Sequence, residues 1–284
     1  MAQVVVTGAR RGIGREIALS LARAGHAVVA TMRRTEGCDL VDIARRETLS
    51  IVVADLDVDD DASVARFFAT SVAGSEPTDI LINNAGILSI NALEDETIAN
   101  MQAVMNTNFF GAVRCMKAVV PAMRARGKGL IVNISSISGR MAPFAQSAYC
   151  ASKYALEAAS EALAQELAPF GVRVALVEPG IIATDMAVEN LPSPRADSAY
   201  PHGRRMLGFF ADTGVSGPAP SVVAETVGDI VSGRITAFRT LSGPGAAELL
   251  GLRSSMSDEA WIAMSDTLDD GVFFQRFGVA GNGG

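Results

Sequence analysis

Tyr149 and Lys153 stand four residues apart in the run Tyr149-Cys150-Ala151-Ser152-Lys153, and the stretch from there to Leu167 reads as helix, so both side chains project from one face. A free phenol titrates at about 10 and gives up its proton poorly at neutral pH. A lysine ammonium held close favours the phenolate and brings the group towards the working range, and only about 1.4 kcal/mol of interaction changes the acidity tenfold. The spacing therefore predicts a general acid that exchanges a proton with a substrate oxygen. The other candidate groups are weaker. His26 lies in a turn between the first helix and the second strand, His202 lies in a segment read as a surface loop, and Asp55 and Asp57 do not form a metal pair; no metal site is expected.

A positioned acid needs a partner reaction, and the start of the chain supplies a second signal. Gln3-Val4-Val5-Val6 is a short apolar run suited to a buried parallel strand. It breaks into Thr7-Gly8-Ala9-Arg10-Arg11-Gly12-Ile13-Gly14 before a helical stretch. Glycines let backbone approach a pyrophosphate without a Cβ clash, and the N–H groups and dipole of a helix N-terminus stabilise its charge. The spacing is Gly-x-x-x-Gly-x-Gly, which differs from the Gly-x-Gly-x-x-Gly dinucleotide fingerprint.

That turn and the Tyr/Lys pair resemble the short-chain dehydrogenases/reductases, in their compact single-domain branch. The resemblance runs from residue 3 to about 185. It includes Asp57-Val58 after the third strand, Asn83-Asn84-Ala85-Gly86 after the fourth, and Asn108-Phe109-Phe110-Gly111 on a helix. Ser135-Ser136 after the fifth strand and Pro179-Gly180-Ile181-Ile182-Ala183-Thr184 after the sixth complete it. The resemblance implies a catalytic set of Asn108, Ser136, Tyr149 and Lys153. Ser136, thirteen residues before the tyrosine, would bond the reacting oxygen, with Ser135 structural. Lys153 would also bond the nicotinamide ribose, and Asn108 would interrupt its helix to hold a water linking Lys153 to solvent. Implied cofactor contacts are Gly8, Arg10, Arg11, Gly12, Ile13 and Gly14 in the turn, and Asp57 and Val58 at the adenine. Asn84, Ala85 and Gly86 would pass the ribose, and Pro179, Gly180, Ile182 and Thr184 would fix the carboxamide. Asn84 suits a structural role equally well. A cofactor-binding regulator on the same fold is the alternative, and it would lose the catalytic residues that are all present here.

Cofactor choice is read at the end of the second strand. An acid there holds a ribose 2′-OH, whereas a 2′-phosphate needs the acid absent and an arginine present. Met32 takes the acid's position and Arg33 follows it, so NADP(H) is expected in preference to NAD(H).

Strands are predicted near 3–7, 27–32, 50–54, 79–83, 130–134, 173–178 and 235–241. Helices are predicted near 12–24, 39–46, 60–73, 97–125, 148–169 and 220–232, with two short ones in the tail. This alternation implies an α/β fold, a doubly wound parallel sheet with helices on both faces. The resemblance adds a Rossmann-like seven-stranded order of 3-2-1-4-5-6-7. One domain over 1–284 is expected, with a substrate lid at 186–215 and an extension at 243–284. Met186, Met206 and Phe210 would form the lid's apolar face, and Met141 and Phe144 the opposite wall, although such clusters serve equally as core. Phe273, Phe274 and Phe277 suit an active-site cover, a dimer contact or packing on the body.

Net charge is −7, so nonspecific attraction to nucleic acid or anionic membrane is not expected. Cys38, Cys115 and Cys150 are odd in number and lack metal-ligand spacing, which suits reduced thiols in a cytoplasmic protein. No leader or bilayer-spanning run is read. The expected partners are a small carbonyl or alcohol substrate and a second copy of the chain, as a homodimer or homotetramer built on helices 97–125 and 148–169.

Overall fold

Short runs of valine, isoleucine and leucine form β1 (Gln3–Val6), β2 (Ala27–Met32), β3 (Ile51–Asp55), β4 (Ile80–Asn83), β5 (Gly129–Ile134), β6 (Val172–Pro179) and β7 (Arg239–Ser242). Such branched side chains pack well on a pleated surface covered from both sides. In the computed structural model the strands are all parallel, in the order β3-β2-β1-β4-β5-β6-β7. The structure describes residues 1–70, 77–184, 186, 193–215 and 217–277, without the side chains of 212–215.

Alternate residues of each strand face opposite layers. Val4, Val6, Val28, Ala30, Ile82, Val132 and Val177 pack under α1 (Gly12–Arg23) and the helix Ser221–Val231, which contribute Ile17, Leu21, Val223 and Val227. Val5, Val29, Leu81, Ile131 and Val174 meet the other layer, which includes Val64 and Phe67 of α3 (Asp61–Thr70). α2 (Leu40–Glu47) lies between β2 and β3 in the chain and buries Leu40 and Ile43 in the first layer. The sheet reverses direction of growth between β1 and β4, whose pairing runs Val4↔Ile80 to Val6↔Ile82. That reversal opens the crevice beyond the strand carboxyl ends where ligands of such sheets bind.

The long helix predicted over 97–125 is divided. α4 (Ile98–Met105) is capped by Thr97, whose side chain accepts from the Asn100 N–H, and it passes into a π-helical turn over Asn106–Phe110 before α5 (Gly111–Arg126). Such wide turns occur as local bulges at functional sites. α6 (Ser147–Leu167) matches the predicted 148–169 closely. It is bolted to the sheet by polar contacts: Asn83 Nδ2 donates to Asn133 Oδ1 at 2.8 Å, and Asn133 Nδ2 to Ser160 Oγ at 2.8 Å.

Beyond β6 the expectations need correction. Residues 187–192 of the predicted lid lie outside the described residues, and 202–215 form a helix, α7 (His202–Val215), in place of a loop. The helix Ser221–Val231 is α8. β7 begins at 239, later than the predicted 235. Three tail helices, where two were expected, follow it: α9 (Ala246–Ser255), α10 (Asp258–Ala263) and α11 (Asp270–Arg276). Ser257 caps α10 and Asp269 caps α11, each accepting a first-turn N–H.

The tail packs on the body through aromatic rings. Phe273 is fully buried, 5.0 Å from Phe144 and 4.8 Å from Phe277 between ring centroids. Phe209 of α7 lies 5.4 Å from Phe277 and 5.6 Å from Phe274. Beneath them Arg205 is 1% exposed; its Nε donates to Asp270 Oδ1 at 2.7 Å, its Nη1 to the Thr267 carbonyl at 2.9 Å, and its Cζ sits 4.2 Å from the Phe273 ring centroid. The geometry resolves the three readings of these phenylalanines in favour of packing against α7 and the loop of Phe144. Phe273→Ala should therefore cost about 3–5 kcal/mol, the usual range for a buried phenylalanine. It should also release the tail, seen as a red shift of the single tryptophan, Trp261 of α10, whose ring lies 6.3 Å from Phe277. Unchanged emission and denaturation midpoint would show that the ring anchors nothing.

Candidate active site

β5 delivers its chain end, Ser135-Ser136, to the crevice. Ser136 is 8% exposed and caps a single 3-10 turn, Ile137–Gly139, its Oγ accepting the Ser138 N–H at 3.1 Å. That bond occupies an acceptor position and leaves the hydroxyl proton for the Tyr149 oxygen, with which Ser136 is hydrogen-bonded. Ser135 Oγ is buried beside Gly139 of the same turn, without a hydrogen-bond partner among the described residues.

α6 brings Tyr149 and Lys153 up from the other side of the crevice, as their spacing requires. Lys153 is 5% exposed; its Nζ donates to the Ile134 carbonyl at 2.9 Å and lies 5.6 Å from the Tyr149 ring centroid. Loss of water penalises both charged forms. Burial pushes the Tyr149 phenol up to about 12, with Ser136 opposing, and pulls Lys153 down to about 8, with Glu157 opposing. The expectation that the lysine lowers the phenol gives way in this state to an upward shift, because desolvation of the buried phenol exceeds the opposing hydrogen bond from Ser136. The result is a phenol that retains its proton beside a lysine poised near neutrality.

Asn108, at the centre of the π turn, is 1% exposed. Its Oδ1 accepts the Ile87 N–H at 2.8 Å, and its Nδ2 donates to the Ile87 carbonyl at 2.9 Å and to Ser152 Oγ at 3.0 Å. Its side chain is therefore committed to clamping the exit of β4 to α6. Ser152, the neighbour of Lys153, is held in turn by donation to the Tyr149 carbonyl at 2.6 Å.

The glycine turn meets the test for a pyrophosphate cradle. Gly8 has φ +66°, and a Cβ there would stand 2.8 Å from the Ala85 Cα; a Cβ on Gly14 would be 2.5 Å from the Gly8 carbonyl oxygen. The N-terminus of α1 has no side-chain cap and no acid in its first turn, so its N–H groups suit an anion. Gly12, at φ +56°, faces Thr184, and the cleft there encloses about 570 Å³ between Arg10, Arg11 and Gly12 on one side and Ala183, Thr184 and Ser221 on the other. Asn84 Nδ2 donates to the Thr7 and Gly8 carbonyls at 2.9 and 3.1 Å, so this side chain braces the turn. Ala85 and Gly86 lie against Gly8 and Asn108 respectively, while Ile13 is half-buried beside the core.

Around the end of β2, Met32 is 3% exposed, and Arg33 is exposed with no ion pair or hydrogen bond among the described residues. Arg10 donates to the Arg34 and Glu36 carbonyls at 2.7 and 3.0 Å, shaping the loop that carries Arg33. Asp57 is half-buried, its Oδ1 accepting the Asp59 N–H at 3.1 Å, and Val58 is buried against Gly111. After β6, Pro179 ends the strand, the Gly180 N–H donates to the Ser242 carbonyl at 3.1 Å, and Ile182 turns into the core, so its side chain is not turned to a ligand.

The apolar residues divide. Met141 is buried with Ile137, Ala246 and Leu250, where it packs α9 and is not an open wall. Phe144 joins the aromatic group of α7 and α11, Met206 is buried and Phe210 half-buried on α7, and Met186 is half-buried with both chain neighbours outside the described residues. His202, expected at the surface, is half-buried 5.6 Å from Phe144, and burial lowers its pKa. Glu157, one turn after Lys153, escaped the sequence reading although the same i, i+4 rule reaches it. Its partner Arg239 on β7 is 82 positions away and has no local signal.

A family model described as short chain dehydrogenase matches residues 2–194. Retinol dehydrogenase 8 of Bos taurus is 42% identical over 187 residues, which cover 64% of this chain and 59% of the relative, so the chain matches less than two thirds of that protein's length. A solved short-chain dehydrogenase from Streptomyces avermitilis superposes with a TM-score of 0.77 at 32% identity, covering 94% of this chain and 98% of its own. A metagenomic short-chain oxidoreductase solved in complex with NADP superposes at 0.67 with 26% identity, over 84% of this chain and 96% of its own. With its sheet order, glycine cradle and Ser136, Tyr149 and Lys153 at one strand edge, the chain belongs to the short-chain dehydrogenases.

Proposed function

We propose that this protein is an NADP(H)-dependent oxidoreductase that interconverts a ketone and a secondary alcohol on a hydrophobic substrate. The observation that carries the reading is the convergence of a protonated Tyr149, a Ser136 hydroxyl hydrogen-bonded to it, and a buried Lys153 at the end of β5. When bound, the nicotinamide supplies or accepts the hydride. Ser136 and Tyr149 direct two O–H donors at the carbonyl oxygen, and Tyr149 gives up its proton as charge grows there. A phenol near 12 is still a far stronger acid than an aliphatic alcohol, so transfer to a developing alkoxide is downhill. Lys153 stabilises the phenolate that remains and bonds the ribose hydroxyls. Asn108 fixes the π turn and Ser152, and so holds Lys153 and Tyr149 in register.

The preference for the 2′-phosphate is supported by the cationic end of β2. Arg33 carries an uncommitted guanidinium, Arg10 orders its loop, and the acid that would hold a 2′-hydroxyl is replaced by buried Met32. Hydrophobic substrate is supported by the half-buried rings of Phe144 and Phe209, 6.0 Å apart between centroids. Subunit pairing through α5 and α6 is supported by the exposed Phe110 and Tyr154 and by the alanines Ala151, Ala158 and Ala162 on the outer face of α6.

Oxidation of NADPH and NADH against a panel of ketones and aldehydes tests the reading; no turnover with any of them overturns it. Tyr149→Phe should lower kcat by about 10²–10⁴-fold, the usual contribution of a general acid, while cofactor affinity stays nearly intact. Retention of more than about a tenth of kcat would remove the tyrosine from its role. Arg33→Ala should weaken NADPH about ten- to hundredfold, since a charge-assisted hydrogen bond contributes roughly 1.5–3 kcal/mol, and leave NADH almost unchanged. Equal losses for both cofactors would show that this arginine only solvates a loop. Sedimentation at micromolar concentration should give a dimer or tetramer, and a monomer would refute the α5–α6 pairing.

A further inference from the structure

Glu157 lies one helical turn beyond Lys153 on the buried face of α6 and is 6% exposed. Its Oε2 accepts from Arg239 Nε at 2.8 Å, whereas its Oε1 is buried with no donor among the described residues. Arg239 also donates to Glu161 Oε2 at 2.6 Å and approaches Glu178 Oε1, at the fully buried end of β6, to 3.6 Å. Arg140, just after the Ser136 turn, reaches Glu178 Oε2 at 3.4 Å. Close packing joins this group to the site. A Cβ on Gly139 would stand 2.8 Å from Ser135 Oγ, 2.9 Å from Glu157 Cγ and 3.3 Å from the Lys153 carbonyl oxygen.

Two buried carboxylates, each with one oxygen lacking a donor, are an unfavourable way to fill space between α6, β6 and β7, where apolar side chains would pack without the loss of hydration. Their placement has a use if a charge nearby must be kept. We propose that Glu157, set in place by Arg239, is a positioning residue for Lys153: its carboxylate holds the lysine's positive charge in the interior beside Tyr149. The charged and titratable groups of this region are Tyr149 and Glu157 beside Lys153, and, around Glu157, Arg239 from β7 with its partners Glu161 on α6 and Glu178 on β6, and Arg140 from the turn after β5. Glu157 and Glu178 each keep one buried oxygen without a donor among the described residues, and Glu161 is engaged by Arg239; of the three, Glu157 is the one a single turn from Lys153 on the same buried helix face. Burial pulls Lys153 down to about 8 while the nearby Glu157 charge raises it, which favours the charged lysine at neutral pH.

The inference rests on the reading of Lys153 as the catalytic lysine, and its test needs neither cofactor nor substrate. Lys117, Lys128 and Lys153 are the lysines of the chain, and the first two are exposed, so ¹³Cε-lysine labelling yields three separable NMR titrations. Glu157→Gln should move the Lys153 midpoint down by about one pH unit or more, as loss of a neighbouring opposite charge does. Arg239→Gln, which removes the competing cation, should move it up. Opposite shifts from two partners of one ion pair cannot come from a shared loss of packing. An unchanged midpoint in Glu157→Gln, or shifts of the same sign, would overturn the proposal; should Glu157→Gln not fold, a downward or absent shift in Arg239→Gln would do so. Wild type that turns over no carbonyl compound would count against the proposed reaction and leave this coupling standing.

Discussion

The hydrogen bond from Lys153 Nζ to the Ile134 carbonyl is the point through which the rest of the site is organised. It ties the first third of α6 to the end of β5, the strand that carries Ser136. An ammonium taken out of water loses several kcal/mol of hydration and stays in place only if its surroundings return that energy. The surrounding structure is arranged to meet this demand: a backbone carbonyl in direct contact, a carboxylate one turn along the helix, and a phenol whose ring shields it. Tyr149 inherits its position from the same anchor, because both side chains leave one face of one helix.

That anchor needs a helix which cannot slide, and apolar packing alone permits small shifts of register. The polar contacts remove the freedom. Asn83, Asn133 and Ser160 form a chain of hydrogen bonds from β4 through β5 into α6, and Asn108 links the exit of β4 to Ser152. Each bond stabilises by roughly 0.5–1.5 kcal/mol when made, and costs about 1–3 kcal/mol when one partner is stranded in the interior. Misregistered packings of α6 are therefore penalised at several positions together. The π turn belongs to this system, since the extra residue turns Asn108 inward where a regular helix would rotate it elsewhere.

What the sequence revealed and what it hid follow from the range of each interaction. The strands, α1, α6 and the Tyr149/Lys153 pair depend on neighbours within one or two turns, so their periodicity and spacing were legible. The division of the helix at Asn106–Phe110 had a trace in the expected interruption at Asn108. α7 was read as loop because its Pro, Ser and Arg flanks masked a 14-residue helix whose stability comes from the tail packed on it. Tertiary burial of this kind overrides local propensity. The direction of the Tyr149 shift was missed for a related reason: spacing reports the neighbouring charge, while desolvation depends on the whole fold. Met141 had the composition of a pocket wall and the burial of a core residue, a distinction which side-chain type does not encode.

These ranges divide the molecule into two parts with different constraints. The cradle and Ser136 follow strand ends, where parallel pairing fixes position to within the register of the sheet, and Lys153 of α6 is tied to one of those ends through the Ile134 carbonyl. The aromatic layer hangs from α7 and α11, joined by ring contacts and by the buried guanidinium of Arg205. The family match ends at residue 194, before α7 begins, and the similarity to the retinol dehydrogenase covers 64% of the chain. Ring packing tolerates exchange of size and shape far better than a strand tolerates a change of register. The Ser136, Tyr149 and Lys153 group thus belongs to the part that the sheet holds rigid, and the aromatic layer to the part that can be repacked without moving Lys153 from the end of β5.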